Sequence, residues 1–197
     1  MKNTKTELYL YESIDEARGL IQENSLDEAI EKLEKAILVS NQSEDYIAYY
    51  CDMSKLIAMC YRKINALDKA EDVLKKALIA IKKRFLKKNE LNYFREYAVL
   101  LVNLGIILEN RGEFYKALEQ YNNAEGVFMK LDDGQSLFKI YLTMLNTFIA
   151  LENIEKAEET LLKAINLAEN KNIMYDKQII NEYEKMIKEK KHVSNET

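Results

Sequence analysis

Residues 114–124 read FYKALEQYNNA and set Phe114, Ala117, Tyr121 and Ala124 at spacings of three, four and three. Those spacings keep all four side chains on one face of an α-helix. The same pattern returns as Leu26-Ala29-Leu33-Ala36, Leu67-Ala70-Leu74-Ala77 and Ile154-Ala157-Leu161-Ala164. Alanine at two of the four places lets a second helix approach closely. The first alanines, Ala29, Ala70, Ala117 and Ala157, follow one another at 41, 47 and 40 residues. Self-similarity at such a period marks a stack of helical repeats, not one closed core.

Working outward, the apolar periodicity predicts nine helices, at 4–23, 26–41, 44–64, 67–88, 91–110, 114–130, 135–151, 154–170 and 173–191. The breaks between them have chemical causes. Ser25 with Glu28 three residues on is a capping-box pattern. Asn65 and Asn153 are expected to cap the helices that follow them. Gly112 is expected to take the left-handed conformation that ends a helix, and Asp132-Asp133-Gly134 is a turn cluster. Twelve residues before each first alanine stand Ala17, Ala58, Gly105 and Leu145. Three are small and predict close pairing; Leu145 predicts a wider fourth pair. The last helix carries Ile179, Ile180, Tyr183, Met186 and Ile187 as one apolar stripe, which suits a terminal cap with one face on the stack. A tail at 192–197 is expected to fray.

Composition narrows the class. With 48% hydrophobic residues the chain has the material for a continuous core. It has no Pro and only 5 Gly, so long helices are favoured over the many sharp turns of an all-β fold. A net charge of −4 exerts no general pull on nucleic acid or anionic membrane. The longest apolar stretch, residues 98–108, is too short to span a bilayer, and the N-terminus has no signal-peptide core. Cys51 and Cys60 lie nine residues apart in one predicted helix, more than about 12 Å along its axis, which is beyond disulfide reach. A soluble, cytoplasmic protein is expected, its thiols reduced.

The third repeat reads Leu101-x-x-Leu104-Gly105-x-x-Leu108, Gly112-Glu113-Phe114 and Ala117-x-x-x-Tyr121-x-x-Ala124. This resembles a tetratricopeptide repeat. It departs from that pattern with Leu101 in place of the usual Trp, Leu108 in place of Tyr, and no closing proline. The spacing near 40 residues is similar to the lengthened repeats of kinesin light chains and of the peptide-sensing regulators of Gram-positive bacteria. The repeats begin almost at Met1, so the N-terminal module of those sensors is not expected. The resemblance implies an all-α, right-handed superhelical solenoid of four helix hairpins plus a C-terminal capping helix. It is expected to form one domain over 4–191, with repeats near 10–43, 51–84, 98–131 and 138–171, a cap at 173–191, and a disordered tail at 192–197.

The resemblance also implies a concave groove lined by the first helix of each pair. Carried over residue by residue, the groove comprises Arg18, Lys55, Met59, Arg62, Asn103, Ile106, Asn110, Lys139 and Asn146. Asn103 and Asn146 attract notice because an amide offers both donor and acceptor to a peptide backbone and Asn is a modest helix former. The alternative is an ordinary solvated Asn. Arg18, Lys55, Arg62 and Lys139 give the groove a basic tint that favours acidic ligands, partly offset by Asp52 and Glu109. Ile14 and Met59 stand where the chaperone-tail clamp of the family needs polar groups, so binding of chaperone tails is not expected.

Two further features have bland readings. Lys75, Lys76, Lys82, Lys83, Arg84, Lys87 and Lys88 form a basic run that complements a helix dipole; contact with an acidic protein or RNA is the alternative. Most of the 13 tyrosines are expected to fill space between helices. Catalytic signals are missing from the sequence: its one histidine is His192, and it holds no phosphate-loop or dinucleotide motif. No cofactor, metal or nucleic acid is implied, and a homo-oligomer is not indicated. The expected function is a noncatalytic scaffold, or adaptor, that binds a peptide or partner helix in the groove. The alternatives are a peptide-sensing regulator and a structural subunit assembling through the stack ends.

Overall fold

The computed structural model describes residues 4–41, 43–88 and 91–195, without side chains at 84–88, 91–92 and 192–195. Among the described residues there are nine α-helices and no strands. They are α1 (Thr4–Gln22), α2 (Leu26–Ser40), α3 (Ile47–Lys63), α4 (Leu67–Lys88), α5 (Leu91–Asn110), α6 (Phe114–Lys130), α7 (Gly134–Ala150), α8 (Ile154–Lys171) and α9 (Lys177–Asn195). A single 3₁₀ turn, Glu44–Tyr46, leads into α3. The chain forms two compact units, Met1–Glu113 with α1–α5 and Phe114–Thr197 with α6–α9.

The alanine-marked seams are the core. Ala29, Leu33, Ala36, Ala70, Leu74, Ala77, Ala117, Tyr121, Ala124, Ala157 and Ala164 are all fully buried. In the first unit α3 touches both α1 and α5, so the first helices of successive hairpins form one layer. The second helices α2 and α4 pack against α3 and α5 from behind. In the second unit α7 lies between α6 and α8, and α9 packs on α8. The α7–α8 pairing is the most extensive among the described helices, with Leu145 fully buried. The wider fourth pair expected from Leu145 is therefore not seen; the leucine is absorbed into the seam.

One backbone device closes six helices. A residue at positive φ follows each last turn: Asn24 (61°), Asn65 (58°), Gly112 (77°), Asp132 (52°), Glu152 (58°) and Asn172 (51°). The next amide then reaches back to the carbonyl five residues earlier, as Ser25 to Leu20 at 2.8 Å, Ala66 to Tyr61 at 2.8 Å and Asn153 to Phe148 at 3.0 Å. This is the Schellman closure, which satisfies carbonyls the helix end would orphan. Gly112 takes the left-handed role its sequence predicts. Asn65 does not cap α4; it is the left-handed residue that ends α3. Ser25 makes no side-chain cap, whereas Asn153 accepts from the Lys156 amide at 3.1 Å and Asp133 from the Ser136 amide at 3.1 Å.

The last helix starts later than its periodicity predicts. Asn172 turns left-handed, Ile173 is buried and Tyr175 packs on Phe138 with ring centroids 5.3 Å apart. Asp176 then accepts from the Gln178 amide at 2.9 Å, and α9 begins at Lys177. Ile180 and Ile187 are its buried contacts, while Ile179 and Met186 are exposed, so the apolar stripe is narrower than expected. The expected tail at 192–197 lies outside the described side chains, as do His192, Arg84, Lys87 and Lys88.

Candidate functional site

The first unit holds a cavity of about 270 Å³ between α3 and α5. Leu56, Ala58, Met59, Ile106, Ile107 and the α4 residue Leu74 give it an apolar lining, and Lys55, Arg62 and Asn103 supply its polar edge. The helix periodicity explains the set. Lys55, Met59 and Arg62 are spaced four and three apart on α3, and Asn103 and Ile106 three apart on α5, so each group shares a face. Five of the nine residues assigned to the groove from sequence thus meet at one place.

Electrostatics then sort those five. Lys55 Nζ sits 2.7 Å from Asp52 Oδ1 and 2.7 Å from Glu96 Oε2. Burial alone would pull the Lys55 pKa down; the hydrogen bonds to the two carboxylates outweigh it, and the net shift is upward. Its charge is spent within the protein, so the expected basic tint is weaker than the residue types imply. Arg62 is half-exposed, and among the described residues its guanidinium has no side-chain partner. Asn103 Nδ2 donates to the Val99 carbonyl at 2.8 Å, one turn back. That bond uses one N–H of the amide and leaves its oxygen as an acceptor.

The other four lie elsewhere. Arg18 is exposed on α1, away from this cavity. Asn110 is exposed at the end of α5, where its Nδ2 donates to the Ile106 carbonyl at 2.7 Å. Lys139 and Asn146 are exposed on α7, in the second unit. Ile14 is buried and Met59 half-buried. Sequence reasoning missed Leu56, Leu74, Ile107 and above all Glu96. The signal for Glu96 was present: it stands 41 residues after Lys55, one repeat away. Arg111 likewise reaches back 40 residues to Glu71, and Lys171 back 39 to Asp132 at 2.6 Å.

Both cysteines are buried free thiols, and burial pushes Cys51 up to about 12. Such a thiol is a poor nucleophile. No group of His, Cys, Asp and Glu suited to a metal occurs among the described residues, and none of the described helices is long and apolar enough to cross a membrane.

A tetratricopeptide repeat profile matches residues 138–171, which span most of α7 and all of α8. The fold is shared with solved structures along nearly the whole chain. Aspartyl phosphate phosphatase F from Bacillus subtilis superposes with a TM-score of 0.74 at 16% identity, over 94% of this chain and 45% of that one. A protein of nearly identical TPR-like repeats, a putative kinesin light chain of Podosopora anserina, gives 0.66 at 13% identity over 95% and 97%. Residues 138–171 thus read as a tetratricopeptide repeat, and the chain as a whole has the tetratricopeptide-type helical-repeat fold. A Rap protein complexed with Competence and Sporulation Factor gives 0.56 at 14% identity over 95% and 66%. At such identities the likeness speaks for the all-α helical-repeat solenoid fold alone, and this chain spans less than half the length of the phosphatase. No curated protein matches the sequence. The α3–α5 cavity opens between the first helices of two successive hairpins.

Proposed function

We propose that this chain is a noncatalytic protein-interaction scaffold, or adaptor, that holds a peptide or partner helix along its first helices. The cavity between α3 and α5 is the seat of one contact. The observation that carries this reading is the meeting of Lys55, Met59, Arg62, Asn103 and Ile106 around one mostly apolar hollow. Its volume of about 270 Å³ lies at or below the ~300–1,000 Å³ of small-molecule pockets, which suits one anchoring side chain of a longer partner. Arg62 and the Asn103 oxygen fix the backbone beside that anchor. Arg18, Asn110, Lys139 and Asn146 are proposed as further contacts on the same helix class. Rigid packed helices order only the ligand on binding, which limits the entropic cost. The reading takes residues 4–191 as one cytoplasmic domain whose partner is a protein or peptide.

The test is selection from a random peptide library. Selected peptides should lose about tenfold or more in affinity on Arg62→Ala combined with Asn103→Ala, with helicity unchanged; anchors of this kind dominate binding energy. Peptides indifferent to both substitutions would refute the reading.

A second reading is favoured by one likeness, that to the Rap protein described with Competence and Sporulation Factor. Here the chain is a peptide-sensing regulator with two conformations of different peptide affinity. Small-angle scattering separates the two readings. A sensor changes its radius of gyration when the selected peptide is added, and a rigid scaffold does not.

A further inference from the structure

We infer that a second site in the first unit, sharing no lining residue with the α3–α5 cavity, docks an acidic amphipathic helix of a partner protein. It is a cleft of about 390 Å³ between the end of α2, the 3₁₀ turn and α4. Ile47 and Tyr50 from α3, and Ile79 and Ala80 from α4, supply its apolar surface. Ile79 is 58% exposed, a large aliphatic side chain left in water at the rim. Lys76 and Lys83 stand at either end of the α4 wall.

The α4 wall has the order Lys76, Ile79, Ala80, Lys83, at steps of three, one and three, so all four share one helix face. Seven residues at about 1.5 Å each set the two lysines roughly 10 Å apart along the axis. The complement is a helix with two carboxylates seven residues apart and aliphatic side chains between them, which has the same repeat. Lys83 makes no side-chain ion pair among the described residues. Lys76 pairs with Asp72 at 2.6 Å, but both are more than half exposed, and a pair of that kind is worth little and exchanges readily. Lys82 adds positive charge to the same stretch of α4, while Lys75 is paired with Glu71 at 2.6 Å. Glu44 is the one acidic liner and belongs to the 3₁₀ turn opposite, so the occupant's carboxylates must face α4. The basic run noted in the sequence thereby gains a use beyond its helix dipole.

The same lysines would attract RNA or an anionic membrane, and the geometry disfavours both. Tyr50 is the only aromatic liner and is half-buried, while single-stranded RNA needs successive stacking platforms. A recessed apolar cleft accepts a protruding side chain, not a flat headgroup surface.

The probe is a fluorescein-labelled stapled helix with two Glu seven residues apart and two Leu between them. Its twin carries Lys in place of both Glu. The acidic helix should bind the intact chain about tenfold or more tighter than the twin, and Lys83→Glu and Lys76→Glu should each abolish most of that preference. Both lysines are exposed, so these variants keep the fold, which circular dichroism checks. Ala80→Trp, filling the cleft, should block binding, while Arg62→Ala with Asn103→Ala should leave it unchanged. The inference is overturned if the two helices bind alike, or if binding ignores Lys83→Glu. It is equally overturned if oligouridine or phosphatidylserine-containing vesicles bind through Lys83 and the acidic helix does not.

Discussion

Lys55 Nζ lies 2.7 Å from Glu96 Oε2, although 41 residues separate the two. The pair ties the first helix of one repeat to the first helix of the next. Only 19% of the Lys55 side chain and 28% of the Glu96 side chain are exposed, so it falls between a surface pair and a buried one. Lys55→Met leaves Asp52 and Glu96 with their shared cation gone and should destabilise the first unit by about 1–3 kcal/mol. Glu96→Gln, which leaves Lys55 its bond to Asp52, should cost about 1 kcal/mol or less. Urea unfolding measures both.

The same pair sets a pH dependence. The Lys55 pKa is raised in the folded chain. Its contribution is therefore complete below the unfolded lysine value near ~10.4 and is lost as pH rises through the folded value. Thermal melts of the parent should fall more steeply above that value than melts of Lys55→Met.

Tyr141 should titrate late. Burial pushes its hydroxyl up to about 12, helped by the hydrogen bond to Glu125. The unfolded chain ionises this residue near ~10, so stability linked to it is complete below that pH and falls above it. An ultraviolet titration of phenolate should lose one of its latest steps in Tyr141→Phe. A late step that survives the substitution contradicts the assignment.

The two thiols should be silent. Cys51 and Cys60 are fully buried, and burial raises both pKa values. Ellman's reagent at neutral pH should react with neither until denaturant is added. Fast reaction in the native protein would mean that α3 opens readily.

Glu152 occupies a position better suited to glycine. Its φ of 58° places a side chain in the left-handed region, at a typical cost of about 1–2 kcal/mol. Glu152→Gly removes that strain along with an exposed ion pair to Lys190, which is worth less. A net gain of about 0.5–1 kcal/mol is expected in urea unfolding. The converse, Gly112→Ala at φ 77°, should cost about 1 kcal/mol.

The seams were legible in the sequence because helical spacing is a local property: Ala29, Ala70, Ala117 and Ala157 are each buried as their period requires. That Lys55, Met59, Arg62, Asn103 and Ile106 would meet was legible for the same reason, since α3 and α5 each present one face. What was hidden is what another helix supplies. Glu96 neutralises Lys55 from a repeat away, and Asn103 spends one N–H on its own helix. The helix closures were half-legible. Asn at 65 was correctly marked as a boundary, yet whether it ends one helix or starts the next depends on φ, which residue type alone leaves open. The delayed start of α9 has a similar origin: Ile173 and Tyr175 look helical by pattern, but Ile173 is buried and Tyr175 packs on Phe138 in a non-helical segment.

Methionine methyl NMR reads occupancy of the α3–α5 cavity by a peptide, because Met59 lines that cavity while Met174, 94% exposed, does not. Met59 is assigned by loss of its signal in Met59→Leu, and a library-selected peptide is titrated in. The account predicts that the Met59 methyl shifts with the binding isotherm and Met174 stays still. A peptide that binds while Met59 keeps its shift would contradict it.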